Sequence, residues 1–209
     1  RPDLFVGGRV VPGSYPEIPT SFILINDGKG NFKDVTATLA VGLQKIGMVT
    51  DAAWLDLNAD KKPELIVVGE WMPVTVFENV NGKLENKTNN YFDKNYSGWW
   101  NKLLVDDFNG DGKMDLVVGN LGLNSQVKAS FEQPAELYFK DFDQNGRTDP
   151  ISCTYIQVKS YPYITRDELI GQMPMMGKRY PDYKSYSEAT LKDIFGTSEL
   201  EGVNRLEAN

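Results

Sequence analysis

Val105-Asp-Asp-Phe-Asn-Gly-Asp-Gly-Lys-Met-Asp-Leu-Val-Val-Gly119 decides the fold. Oxygen-bearing side chains alternate through its first half, and a β-branched apolar run closes it. Two other stretches repeat the plan in the same phase: Trp54-Leu-Asp-Leu-Asn-Ala-Asp-Lys-Lys-Pro-Glu-Leu-Ile-Val-Val-Gly69 and Lys140-Asp-Phe-Asp-Gln-Asn-Gly-Arg-Thr-Asp-Pro-Ile151. A remnant, Asp3-Leu-Phe-Val-Gly-Gly8, matches only the final acid and the strand after it. The final acid falls at Asp3, Glu64, Asp115 and Asp149, an irregular repeat near the roughly 40–50 residues of one propeller blade.

A second element follows two of the copies. Phe22-Ile-Leu-Ile-Asn-Asp-Gly-Lys-Gly-Asn-Phe32 and Val74-Thr-Val-Phe-Glu-Asn-Val-Asn-Gly-Lys-Leu84 both read as strand, tight turn, strand. Gly-rich and Asn-Gly turns between β-branched and aromatic runs signal hairpins. One unit is therefore an acidic loop between two strands, then a hairpin. Four short antiparallel strands of this kind make a blade. The fold expected is all-β, a partial β-propeller, with about three to four blades over residues 1–158 and the first one truncated.

The last third departs from this pattern. Thr165-Arg-Asp-Glu168 and Ser185-Tyr-Ser-Glu188 fit the capping box, in which a hydroxyl and a carboxylate satisfy the free amides of a helix start. The second predicts a helix through residues 189–195, stopped at Gly196. Residues 159–202 read as a small helical insertion, and 203–209 as the truncated start of a further blade. Both ends read as cuts within a larger protein.

Metal chemistry explains the alternation. The residues at positions 1, 3, 5, 7 and 9 of a nine-residue loop are Asp107, Asn109, Asp111, Lys113 and Asp115 in the second copy. They are Asp141, Asp143, Asn145, Arg147 and Asp149 in the third, and Asp56, Asn58, Asp60, Lys62 and Glu64 in the first. Lys62, Lys113 and Arg147 would offer backbone carbonyls. Calcium takes about 6–8 oxygens, and a loop curled around the ion can point alternate residues inward. Magnesium fits less well, because it demands tighter octahedral geometry and keeps its waters. Gly112 and Gly146 stand where a sharp turn favours positive φ. The first copy departs from the pattern, with Lys61 at that position and Glu64 for Asp. Two calcium ions are expected, in the second and third loops, and the first loop would hold a third. An EF-hand is excluded: it needs Glu at position 12, which is here Val67, Val118 and Ser152, and its loop leads into a helix. The bland alternative is that Asp, Asn and Gly clusters simply build turns. Three copies in phase argue against it.

Composition narrows function. A net charge of −7 with no Lys/Arg run argues against nucleic-acid binding. The absence of His removes Ser/His/Asp and Cys/His nucleophile systems and the usual zinc ligands. The single cysteine, Cys153, allows no internal disulfide and reads as a small buried hydrophobe. No apolar run reaches membrane-spanning length.

The loops Asp107–Asp115 and Asp141–Asp149, the Phe5-Val-Gly-Gly8 and Val117-Val-Gly119 strands and the Asn26–Phe32 turn resemble FG-GAP/VCBS repeat proteins, whose propellers include the integrin α head. The chain looks closer still to bacterial VCBS-repeat proteins of the ASPIC/UnbV (cartilage acidic protein-like) group. The likeness covers about residues 1–155. It implies a propeller of usually about seven blades, calcium in the blade loops and an extracellular, cell-surface or periplasmic location. The function expected is a non-catalytic calcium-binding module for protein or glycan partners, with self-association through open blade edges. The alternatives are pure scaffold, a polysaccharide-binding lectin and a polysaccharide lyase. For the lectin, Trp71, Trp99 and Trp100 would stack on sugars, although core packing is the commoner use of such residues. For the lyase, Asp106, Lys102 and Arg166 would have to converge.

Overall fold

The computed structural model describes residues 2–209, with Leu123 described by its backbone only. The chain divides into two compact units, Arg1–Val11 with Ile18–Leu121 and Pro12–Glu17 with Gly122–Asn209.

In the first unit, β4 (Met48–Leu55), β5 (Glu64–Pro73), β6 (Thr75–Val80) and β7 (Lys83–Asn86) form a four-stranded antiparallel meander. The first acidic loop joins β4 to β5, and Asn81-Gly82 makes the β6–β7 turn with both residues at positive φ. β5 explains why the sheet is stable. Leu65, Ile66, Val67 and Val68 are all fully buried, and alternate residues pack on opposite faces. Leu65 and Val67 join Ile23, Val49 and Phe77, whereas Ile66 and Val68 join Leu55, Val76 and Leu103.

On one face lies the three-stranded sheet of β1 (Leu4–Val6), β2 (Phe22–Asn26) and β3 (Phe32–Asp34), in that order, followed by the single-turn α1 (Thr36–Leu39). On the other lies the pair β8 (Ser97–Asp106) and β9 (Asp115–Asn120). β8 is also tied to the far end of β5 through Glu70↔Trp99, Met72↔Gly98 and Pro73↔Ser97, with a register shift at Trp71, where φ is +56°. The first unit therefore holds a four-stranded antiparallel meander flanked by a three-stranded sheet and a two-stranded ladder. No closed ring is formed among the described residues.

The second unit is the sheet β12 (Lys159–Pro162), β11 (Asp149–Ile156), β10 (Ala135–Lys140), β13 (Asn204–Ala208), in that order. Four short helices pack on it: α2 (Arg166–Gln172), α3 (Met176–Arg179), α4 (Tyr183–Tyr186) and α5 (Leu191–Ile194). Ile151 and Cys153 of β11 meet Leu169, Met173, Met176, Ile194 and Phe195 in one core. Burial, then the Glu136 charge, pushes the Cys153 thiol up to about 12. Arg205 of β13 ties that strand to β10 through Glu136, at 2.6 Å.

Thr165 and Glu168 form the expected capping box at the start of α2. The second one is displaced. Asp182 caps α4, so Ser185 lies inside that helix, and Thr190 with Asp193 makes the box of α5. Asp182, three residues before Ser185, takes the first cap, and Thr190, with Asp193 three residues on, takes the second. Residues 159–162 are strand, and residues 204–208 pair with β10 along one sheet edge.

Candidate metal sites

The three acidic loops fold to the same hydrogen-bond plan. At position 1, one carboxylate oxygen accepts the N–H of position 5 and the other that of position 6. Asp56 takes Asp60 and Lys61, Asp107 takes Asp111 and Gly112, and Asp141 takes Asn145 and Gly146, at 2.9–3.1 Å. Position 3 also accepts the N–H of position 5, through Asn58, Asn109 and Asp143. Position 5 accepts the N–H of Lys62, Lys113 or Arg147, at 2.8 Å in each case. Position 9 reaches back to position 2: Glu64 accepts Leu57 N–H at 2.6 Å, Asp115 accepts Phe108 and Asp149 accepts Phe142, both at 3.0 Å. Backbone amides thus hold the carboxylates in place, and each carboxylate still has lone pairs to offer a cation.

The loop needs two left-handed residues. Position 6 is Lys61 (φ +67°), Gly112 (+81°) and Gly146 (+84°), and position 4 is Ala59 (+62°), Gly110 (+76°) and Gln144 (+59°). Lys61 therefore takes the same conformation as the glycines, at a steric cost that Gly avoids. The role of position 4 was not read from the sequence. Gly110 was its only local signal.

The acids are not gathered equally. Asp56, Asp60 and Glu64 each bring a carboxylate oxygen within 4.8 Å of the others, and so do Asp141, Asp143 and Asp149. Among the described residues, Asp107, Asp111 and Asp115 form no such group. The neighbours of the strand after each loop explain the difference. β5 and β11 are paired on both sides and β9 only on one. Glu64 and Asp149 are accordingly 1% and 4% exposed, while Asp115 is half-buried.

Burial pushes Glu64 above the ordinary carboxylate range. The Leu57 N–H works against this, and the Asp60 and Asp56 charges add to it. Asp149 is raised in the same way, by burial first, against the Phe142 N–H and with the Asp143 and Asp141 charges. Hard oxygen donors gathered at a like-charged site fit a divalent cation, which would offset both the burial and the repulsion.

A pH dependence follows for the metal-free protein. Unfolded Glu and Asp titrate near 4.3 and 3.9, and folded Glu64 and Asp149 titrate higher. Between those values the folded state holds more protons, so its stability falls as pH rises. The lowered groups, among them Asp34, Glu168 and Asp193, act in the opposite sense: their contribution is present above the unfolded value and lost below it. In chelator, the melting temperature should therefore rise as pH is lowered toward the unfolded carboxylate range, then fall in stronger acid as the lowered groups protonate. A monotonic fall in scanning calorimetry would contradict these shifts.

The other expected site residues are each engaged by near neighbours. Trp71 is buried against Trp99, ring centroids 4.9 Å apart and edge-on. Trp100 packs beside Leu103 and Val76. Lys102 pairs with Asp51 at 2.8 Å, Arg166 holds the Tyr180 and Pro181 carbonyls and Asp167, and Asp106 accepts the Asp107 N–H. Among the described residues no helix is long and apolar enough to cross a membrane. One support was missed from the sequence: Phe142, beside Asp141 in the third loop, stacks on Phe195 at 3.9 Å.

No curated protein and no solved structure matches the chain. Residues 56–118, which carry the first two acidic loops and the strands between them, match the FG-GAP-like repeat family, so this stretch of the chain is similar to an FG-GAP repeat.

Proposed function

We propose that the chain is a calcium-binding, non-catalytic module of the β-propeller kind that presents its loops to a protein or glycan partner outside the cell. The observation that carries this reading is the convergence of three acids, one of them buried, in the first and third loops. The shared hydrogen-bond plan extends it to the second loop. Only oxygen ligands are offered there, and flexible loops of this kind suit calcium better than magnesium. The likeness to FG-GAP repeats supports a secreted or surface setting, and kinship with the ASPIC/UnbV-associated group belongs to the same reading. Trp71 is buried edge-on against Trp99, which takes one of the three tryptophans of the lectin reading out of solvent.

Calorimetric titration of chelator-treated protein tests the proposal. Calcium should bind saturably at two sites, the first and third loops, with the second loop weaker. Magnesium at equal concentration should not compete. Absence of saturable calcium heat would remove the metal from the account.

A further inference from the structure

Tyr91 carries a polar group that the fold buries without a partner. The residue follows the single turn Thr88–Asn90, after β7. Its ring packs against the core of Leu55, Ile66 and Val76, where Leu57 of the first acidic loop also lies. Its Oη is buried and makes no hydrogen bond. Buried hydroxyls are nearly always paired, so an orphan asks for a cause.

The polar groups that bear on this hydroxyl belong to the first loop and to β6. Burial pushes it up to about 12, the Glu78 carboxylate and then the Glu64 charge add to this, and Asn58 works against it. A carboxylate raises a phenol by accepting its proton or repelling its anion, whereas an amide lowers it by donating N–H. Tyr91 O–H therefore faces the Glu78 carboxylate, which Asn90 Nδ2 holds at 3.2 Å, and its lone pair faces the Asn58 amide nitrogen.

Asn58 fills position 3 of the first loop, and the loop fixes which end of its amide points where. Oδ1 accepts Asp60 N–H at 2.9 Å, which leaves Nδ2 to donate. It donates to Glu64 Oε1 at 3.3 Å, a long bond. The other Glu64 oxygen, Oε2, is held by Leu57 N–H at 2.6 Å. Oε1 is therefore the Glu64 oxygen freer to turn to a cation, and its turning strips Asn58 Nδ2 of its acceptor. Tyr91 Oη, with lone pairs unused, is an acceptor ready to replace it.

We infer, on the premise that calcium occupies this loop, that Tyr91 is a positioning residue of the first metal site: as Glu64 Oε1 is drawn to the ion, Asn58 Nδ2–H passes from Glu64 to Tyr91 Oη, and Asn58 Oδ1 stays turned into the loop. Partners that orient a ligand from outside commonly count for about tenfold or more in affinity. The third loop is the built-in control, because its position 3 is Asp143, which has no N–H to place.

Tyr91→Phe is the test, since it keeps the ring in its core and removes only the hydroxyl. Calcium is titrated into chelator-treated full chain and read by NMR at the loop amides, Lys61 for the first loop and Gly146 for the third. The first loop should lose about fivefold or more in affinity, and the third should not change. In chelator the variant should melt no lower than the native protein. A loss under about twofold at the first loop, or an equal loss at both loops, overturns the inference. So does a lower melting temperature in chelator, which would give the hydroxyl a structural partner. The Asn58 side-chain amide protons decide the matter on unaltered protein if the variant fails to fold. On calcium saturation they should stay protected from exchange with water, and faster exchange than in chelator would place that N–H in solvent and overturn the inference. Absence of calcium binding at the first loop of the native protein would remove the metal reading and this one together, whereas equal binding by native protein and variant removes only the role of Tyr91.

Discussion

Removing calcium with a chelator is expected to lower the melting temperature by about 10 °C or more, and Glu64→Gln to have opposite signs in the two conditions. An ion present at 100 times its dissociation constant adds about 2.7 kcal/mol to the folded state. For a unit near 100 residues, each kcal/mol moves the midpoint by about 4–8 °C. Without the ion, Glu64 is a buried carboxylate beside Asp56 and Asp60, and its charge is a burden. Gln keeps an oxygen for the Leu57 N–H, gives up the longer bond from the Asn58 amide at 3.3 Å and sheds that charge, so the variant should be more stable than the native protein in chelator, by about 0.5–1 kcal/mol. In calcium the same change removes a charged ligand, and the variant should melt lower. Calorimetry of both proteins in both buffers reads four midpoints. If the variant shifted the same way in calcium and in chelator, Glu64 would be a structural hydrogen-bond acceptor and no ligand.

Phe195→Ala should destabilise the second unit by about 3–5 kcal/mol, the usual cost of emptying a fully buried aromatic site. It should also weaken calcium at the third loop and leave the first loop unchanged. Phe195 fills the core between β11 and the helices. Its ring stacks on Phe142, whose N–H is held by Asp149. The helical segment thus buttresses one acidic loop from behind. In the other copies the matching residues are Leu57, packed against the β5–β8 core, and Phe108, 54% exposed. Site-resolved binding by NMR of the loop amides separates the loops: Gly146 should need more calcium in the variant, whereas Lys61, at the same position of the first loop, should need no more. Equal loss at the first and third loops would point to general unfolding.

The loops were legible because their cause is local. Nine residues carry every hydrogen bond that shapes them, and the alternation of oxygen-bearing side chains is the record of those bonds. Lys61 shows the reach of that logic: a residue that looks wrong for the position still adopts the left-handed turn, because four side-chain acceptors around it impose the path. The capping boxes were less secure. Ser185 and Thr190 offer hydroxyls five residues apart, and the choice between competing acids depended on where Tyr186, Ala189 and Phe195 could be buried, which is a matter of packing.

By itself, then, the sequence determined the acidic turns, the strands that follow them and the hairpin plan of the four-stranded meander, since each follows from contacts a few residues apart. The tertiary structure alone decided which carboxylates draw together. Glu64 and Asp149 sit on strands clasped from both sides and are pressed into the site, whereas Asp115 sits on a strand with one neighbour and stays half in solvent. It alone also placed residues 204–208 beside β10, because strand pairing joins residues far apart in the chain and no local pattern names the partner.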